Sequence, residues 1–305
     1  MKIKKFGYVV VALMFSLGLH SCSETLDVSD ADKYPILFGN SGTKAVADLD
    51  DLKENGFKVY AYFKGNVGSS TFEKDVTYKS NQNIWSYEPL EYWIPNTEYW
   101  FKAFYPQNPI AGTLTVDNTN KEQNFTITGF DVVNHQEDIM MATANSKVED
   151  GTFPVGGSVV NLKFDHLLAN IEIKIKSAVS GVTINSIIIE NADNKGAYNS
   201  TQEEWTATEN GDINFTSGVA LTVGDDYKVV TGSGILVIPG SAESKTLVIN
   251  ASNKIYRAEF PSNTEWMKGN KYGYTLEIKQ SNIIFNEPKV EKWDSENATG
   301  SVIIK

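Results

Sequence analysis

The sequence predicts an all-β protein built from β-sandwiches. Short runs of apolar or β-branched residues recur along the chain and are separated by Gly, Asn, Asp and Ser, a pattern typical of short strands joined by polar turns. Residues 171–175, Ile-Glu-Ile-Lys-Ile, alternate strictly, which is the period of a strand with one face in a core and the other in water. Many such strands with few helical patterns favour sandwiches over α/β folds.

The elements follow in chain order. A short helix is predicted over residues 48–55, because acids occupy its first turn and Gly56 follows it as a C-terminal stop. The clearest predicted strands cover residues 57–63, 99–105, 125–130, 159–164, 171–175, 182–189, 234–238, 246–249 and 272–278.

The length of 305 residues exceeds that of one small core and suits two domains. The composition changes over residues 144–158, which carry charge, Pro and Gly. We therefore predict a boundary there, with an N-terminal sandwich over residues 34–150 and a C-terminal sandwich over residues 151–305.

Composition also limits the classes of function. The formal net charge of −11 is a poor match for phosphate backbones, so nucleic acid is an unfavourable partner. One cysteine cannot form an intramolecular disulfide or a cysteine metal cluster. With three histidines and no nucleophile-elbow motif, we predict a non-enzymatic protein with no catalytic residue, cofactor or metal.

The N-terminus has the layout of a secretion signal. Three lysines among the first five residues precede an uncharged apolar run over residues 6–19, which is too short for a comfortable membrane span. The run ends just before Cys22, and the whole segment resembles a bacterial lipoprotein signal. That resemblance implies cleavage of residues 1–21 and acylation of Cys22, with residues 22–33 as an acidic tether. The alternative is an ordinary signal peptide with an incidental cysteine.

Three polar clusters invite functional interpretations. His135, Glu137 and Asp138 suggest a metal site, but one histidine without a ligand partner favours a polar loop. His166 follows an acid, and we interpret it as a structural histidine. Residues 191–196 begin like a calcium loop, but the cation of Lys195 in the fifth place opposes binding, which favours a plain loop.

Aromatic residues are dense over residues 85–105. Such rings can stack on sugars, so Trp85 and Trp93 are candidates for glycan stacking. Aromatic residues that alternate along strands also fill sandwich cores. The sequence leaves both interpretations open, with core filling favoured.

Read in order, several short motifs resemble the fimbrillin-like lipoproteins, which are subunits and relatives of the bacterial type V pilus. The motifs span nearly the whole chain after the signal. They are YPILF at residues 34–38, TKA at 43–45, FKVYA at 57–61, YWIP at 92–95, YWFKAFYP at 99–106, DIMMA at 138–142, VNLKFDHLLA at 160–169, GILVIP at 234–239, WMKGNKY at 266–272 and VEKW at 290–293.

The resemblance implies two tandem transthyretin-like Greek-key β-sandwich domains and a precursor carried to the outer membrane as a lipoprotein, with palmitate as the expected acyl group on Cys22. In the family, a trypsin-like protease cuts after a basic residue in the loop that follows the first strand. Lys44 is the matching residue here. Loss of the first strand opens a groove that a strand from a neighbouring pilus subunit fills, so the resemblance also implies a fimbrium and a role in cell adhesion.

The residues fit this scheme physically. Tyr34, Ile36 and Phe38 form an apolar strand that could be displaced, and Pro35 favours an edge position because it cannot donate a hydrogen bond. At the other end, Val302 and Ile304 could enter a neighbour's groove as a donor strand, or could pair within their own domain; both interpretations stay open.

The sequence therefore predicts a structural or adhesive surface protein. Its predicted partners are other pilus subunits, the outer membrane through Cys22, and a host protein or glycan. The alternative is a surface glycan-binding lipoprotein that does not polymerise and uses the aromatic residues between Trp85 and Tyr105.

Overall fold

The computed structural model describes residues 34–39, 46–66, 68–149, 159–215, 221–280 and 283–293. Over these residues the chain is almost entirely β, with one helix, α1 (Val46–Asn55), which extends the predicted helix by two residues. In this part of the chain no helix has the length and apolar character needed to cross a membrane.

Ten strands precede the long central ladders. They are β1 (Leu37–Gly39), β2 (Phe57–Gly65), β3 (Gly68–Lys79), β4 (Ile84–Ser86), β5 (Thr97–Tyr105), β6 (Thr113–Asp117), β7 (Asn124–Asp131), β8 (Met140–Val148), β9 (Val159–Asn161) and β10 (Phe164–His166).

Thirteen strands follow. They are β11 (Ala169–Ser177), β12 (Val182–Asn199), β13 (Glu204–Phe215), β14 (Leu221–Val223), β15 (Lys228–Val229), β16 (Ile235–Val237), β17 (Gly240–Ser241), β18 (Thr246–Ala251), β19 (Lys254–Glu259), β20 (Glu265–Trp266), β21 (Asn270–Ile278), β22 (Ile283–Phe285) and β23 (Lys289–Lys292).

The first hydrophobic core lies against a six-stranded sheet of order β10-β8-β5-β2-β3-β4. The short parallel pair β1–β9 adds further side chains to the same core. Aromatic residues dominate it, including Phe57, Tyr99 and Phe101, and rings of this size bury much apolar surface per residue.

The second core is drawn from two larger sheets. One has the order β15-β11-β21-β22, with β16 also paired to β11 and β23 to β21; the other has the order β19-β18-β12-β7-β6, with β13 and β14 also paired to β12. The alternation predicted for residues 171–175 is confirmed, because Ile171, Ile173 and Ile175 are buried. Glu172 points outward and forms ion pairs with two lysines.

The sheets share strands across residue 150. Strands β6 and β7 precede that residue but pair into the sheet of β12, whereas β9 and β10 follow it but pair with β1 and β8. The boundary between residues 150 and 151 stays a prediction. The prediction of an all-β chain built from β-sandwiches is confirmed.

Candidate functional site

The candidate site is the groove in the first sandwich that residues 34–39 occupy. Residues 34–36 run antiparallel to residues 91–93: the Ile36 amide donates to the Glu91 carbonyl at 2.8 Å, and the Trp93 amide donates to the Tyr34 carbonyl at 2.9 Å. Strand β1 then pairs in parallel with β9, and the Leu162 amide donates to the Gly39 carbonyl at 2.8 Å. The predicted displaceable strand thus changes partners halfway along its length.

Its side chains are core residues. Ile36 is fully buried and Phe38 is 2% exposed. The Phe38 ring lies 5.3 Å from the Tyr87 ring and 5.6 Å from the Phe101 ring, centroid to centroid. Tyr34 is half-buried and packs against the same core. We call the groove around residues 34–39, formed by Tyr87, residues 91–93, Phe101 and β9, the N-terminal slot.

The hydroxyl of Tyr87 joins the strand to the wall of the slot. It donates to the Ile36 carbonyl at 2.6 Å and accepts from the Glu91 amide at 3.2 Å. Burial raises the pKa of Tyr87 to about 12, against a weaker lowering by the hydrogen bond to Glu91. The phenol therefore keeps its proton and remains a donor at neutral pH.

Close backbone packing completes the slot. A Cβ on Gly39 would lie 2.6 Å from Cγ1 of Val159, so β1 and β9 fit together at this point because residue 39 has no side chain. On the opposite wall, Lys74 forms an ion pair with Glu91 at 2.7 Å. Removal of residues 34–39 would leave the Trp93 amide and the Glu91 carbonyl without their present backbone partners and would uncover an apolar trough.

The two tryptophans predicted for glycan stacking lie in the first core. Trp85 is 5% exposed and packs against Phe57, with the ring centroids 5.0 Å apart. Trp93 is 4% exposed and meets Tyr99 edge-on at 4.8 Å. Neither ring offers a sugar a free face, because neighbouring aromatic rings cover them.

Four other predicted site residues lie outside the described residues. They are Cys22, Lys44, Val302 and Ile304. Lipidation, proteolytic maturation and strand donation by these residues stay predictions.

The predicted structural histidine has an unforeseen partner. His166 is buried, and its Nδ1 lies 2.7 Å from Oδ2 of Asp138, not beside the adjacent Asp165. Its ring stacks on the indole of Trp293 at 3.8 Å and 4°. The carboxylate of Glu137, the residue before Asp138, accepts hydrogen bonds from the backbone amides of residues 110 and 111 at 2.9 Å each.

The prediction of a plain loop over residues 191–196 is wrong. These residues lie inside β12, which pairs with β13 through three register shifts. Asn191 has a φ of 58°, and Lys195 forms an ion pair with Glu209. The register shifts are β-bulges, which bend a strand without ending it. The polar residues that suggested a loop therefore lie within a continuous strand. Within the described residues, no group of three His, Cys, Asp or Glu side chains is arranged to hold a metal ion.

The fold is that of a β-sandwich protein in which a buried, aromatic-lined slot holds residues 34–39. The sequence profile of a protein family described as fimbrillin-like matches residues 43–293. The chain belongs to the fimbrillin-like family. A search of curated proteins found no match.

Solved structures share the fold. A fimbrial protein from Bacteroides vulgatus superposes with a TM-score of 0.62 at 19% identity, covering 85% of this chain and 99% of that one. A putative cell adhesion protein from Bacteroides ovatus gives 0.55 at 14% identity, covering 87% and 99%. Another from Bacteroides uniformis gives 0.53 at 18%, also covering 87% and 99%.

Proposed function

We propose that this chain is a fimbrial subunit that assembles by strand exchange at the N-terminal slot. It is exported as a lipoprotein acylated on Cys22, held at the outer membrane, and cut after Lys44. Residues 34–39 then leave, and a strand from a neighbouring subunit takes their place. The chain itself performs no catalysis in this scheme.

The observation that carries the proposal is the mode in which residues 34–39 are held. Their side chains fill an apolar trough, yet the backbone has only short ladders, to residues 91–93 and to β9. An open strand site with unpaired amides and carbonyls is a template for another strand. A donor with apolar residues at alternate positions would replace Ile36 and Phe38.

The sequence of the segment between β1 and α1 supports proteolytic cleavage after the first strand. Residues 40–45 join β1 to α1, and Lys44 is the basic residue among them. Cleavage there separates residues 34–39 from the rest of the sandwich covalently, so that only noncovalent contacts retain them.

The donor is proposed to be the C-terminal segment. Val302 and Ile304 alternate with Ile303 and Lys305 in a short apolar run, and the family relationship favours association with other subunits. A strand with two apolar side chains on one face has the period that the slot requires.

The test is polymerisation of the purified chain before and after trypsin-like cleavage, scored as a ladder resistant to denaturing electrophoresis. We expect a ladder only after cleavage, with a new N-terminus at Ala45. Lys44→Gln is the matched control, because it retains the strand and the slot but removes the cleavage point.

Two further variants separate the steps. Deletion of residues 300–305 should abolish the ladder while cleavage still occurs at Lys44. Phe38→Asp, which places a charge in the trough, should let the uncut chain accept a peptide of residues 298–305. The proposal fails if the cut chain stays monomeric with residues 34–39 removed, or if Lys44→Gln forms the same ladder.

A further inference from the structure

A second feature, separate from the N-terminal slot, is a cleft where the two cores meet. Its volume is about 990 Å³, at the upper end of the range for small-molecule sites. Tyr105 from the first core borders it on one side, and Leu236 from the second core borders it on the other. The described end of the chain, at Trp293, forms part of its rim.

The cleft contains a buried acceptor that lacks a donor. Asn170 is 3% exposed and lies in β11 between Leu236 of β16 and Lys271 of β21. Its Nδ2 donates to the Ser233 carbonyl at 3.0 Å, but its Oδ1 has no hydrogen-bond partner among the described residues. A buried acceptor without a donor is unfavourable, and the Asn170 side chain forms part of the cleft wall.

The space for this acceptor depends on a glycine. Gly234 also lines the cleft and has a φ of +113°, which side chains rarely adopt. A Cβ at this position would lie 1.8 Å from Oδ1 of Asn170. The side-chain amide of Asn170 therefore packs directly against the backbone of residue 234, which only a glycine allows.

A donor lies in the same cleft. The Tyr105 hydroxyl accepts from Nδ2 of Asn55 at 3.2 Å, which leaves its own proton to be donated. Burial raises the pKa of Tyr105 to about 12, with a smaller lowering by the hydrogen bond from Asn55. Tyr105 is the residue of the aromatic stretch over 85–105 that reaches this cleft.

An aromatic ring is fixed at the rim. The indole of Trp293 is held by its stack on His166 and by its backbone amide, which donates to the Gly269 carbonyl at 2.9 Å. The face of an indole is negative and the C–H edges of a sugar ring are weakly positive, so a ring held in one orientation suits stacking on a pyranose.

The charge of the lining selects against anions. Carboxylates outnumber ammonium groups, and Lys271 is already paired with Glu172 at 2.8 Å. Anionic ligands such as phosphate esters are therefore disfavoured. The charged side chains that line the cleft are Asp51, Glu137, Asp138, Lys271, Glu291 and Lys292.

We propose that this cleft binds a neutral carbohydrate, with the Tyr105 hydroxyl donating to a sugar oxygen, the Trp293 ring stacking on a sugar face, and Asn170 in the wall beside them. The site does not require polymerisation or an empty N-terminal slot. Failure of one proposal therefore leaves the other untouched.

The test is binding of the intact chain to an array of neutral glucans, mannans, galactans and N-acetylglucosamine oligomers, followed by calorimetry with the best binder. We expect Trp293→Ala to weaken binding at least tenfold. Tyr105→Phe keeps the ring and removes one hydrogen bond, so it should weaken binding roughly three- to tenfold. Trp100→Ala is the matched control, because Trp100 is a half-buried tryptophan outside this cleft, and it should bind as the unmodified chain does.

Thermal unfolding of each variant shows whether it is folded. If Trp293→Ala does not fold, Tyr105→Phe still tests the proposal. Three results would overturn the proposal. They are absence of binding across the array, binding that Trp293→Ala and Tyr105→Phe leave unchanged, and binding of unstructured peptides in place of saccharides.

Discussion

Strand β5 and the segment over residues 34–39 contribute to the same core, yet they are held differently. Phe101 of β5 is 1% exposed and Phe38 is 2% exposed, so side-chain burial does not distinguish them. The backbones do. Strand β5 pairs with β2 over eight residues and with β8 over nine, whereas residues 34–39 share short ladders between two partners. A strand can thus be buried as deeply as the core and still be only lightly fixed by its backbone.

The largest expected effect comes from the interior strand. Phe101→Ala removes a ring that contacts Phe38, Trp93 and Tyr99, and we expect a loss of about 3–5 kcal/mol in the free energy of unfolding. Urea denaturation followed by tryptophan fluorescence measures it. A loss below about 1 kcal/mol would show that the first core does not depend on this ring.

Phe38→Ala should cost less and act locally. We expect a loss of about 3 kcal/mol at most, at the low end for a buried phenylalanine, because the segment can detach while β5 stays paired. Hydrogen exchange followed by mass spectrometry should show faster exchange at residues 34–39 and 91–93, with β5 still protected. Equal acceleration in β5 would remove the distinction between the two strands.

Alkaline pH should loosen the segment through Tyr87. Its pKa is about 12 in the folded chain because of burial, against about 10 in an unfolded one. The stabilisation is therefore complete below pH 10 and is lost as the pH rises towards 12, by on the order of 2 kcal/mol. Urea unfolding from pH 8 to 11 should show a steeper loss in the unmodified chain than in Tyr87→Phe.

The control for this measurement is Tyr62→Phe, on the half-buried outer side of β2. Tyr60, Tyr99, Tyr105 and Tyr274 also have raised pKa values of about 12, so every variant should lose some stability. Only the difference between variants reports on Tyr87, and identical slopes would contradict its proposed part in holding the strand.

The smallest effect is expected at the rim of the slot. Lys74→Met removes the ion pair with Glu91 and retains the apolar part of the side chain. Partly exposed ion pairs contribute about 0.2–1 kcal/mol, and the contribution should fall with added salt. A salt titration of the unfolding midpoint measures it. A loss well above 1 kcal/mol would mean that the Glu91 wall, more than the apolar trough, retains the segment.

The strands that the sequence predicted have at least one buried face, and β5 and β16 are buried on nearly every side. Strands β11 and β21 alternate apolar and polar residues, and their predicted positions match the fold. The hairpin strands β3 and β13 were missed, because most of their residues are exposed and polar. These two segments are strands because they pair with β2 and β12. A local sequence pattern does not reveal such pairing.

The candidate site was predictable in part, because its own strand has an apolar pattern in the sequence. The apolar residues Ile36 and Phe38 indicated a strand, and the structure buries them. The partner segments, residues 91–93 and β9, lie far along the chain, and the role of the Tyr87 hydroxyl depends on a tertiary contact. Trp85 and Trp93 illustrate the converse, since aromatic density alone does not tell a binding surface from a core.

Strand β12 has a consequence for how the molecule is made. Its residues 184–190 pair with β18, and its residues 195–199 pair with β7, which lies nearly seventy positions earlier. Until residue 199 has emerged, β6 and β7 have no sheet to complete. We therefore expect β6 and β7 to join their sheet only after all the strands around the first core have been made.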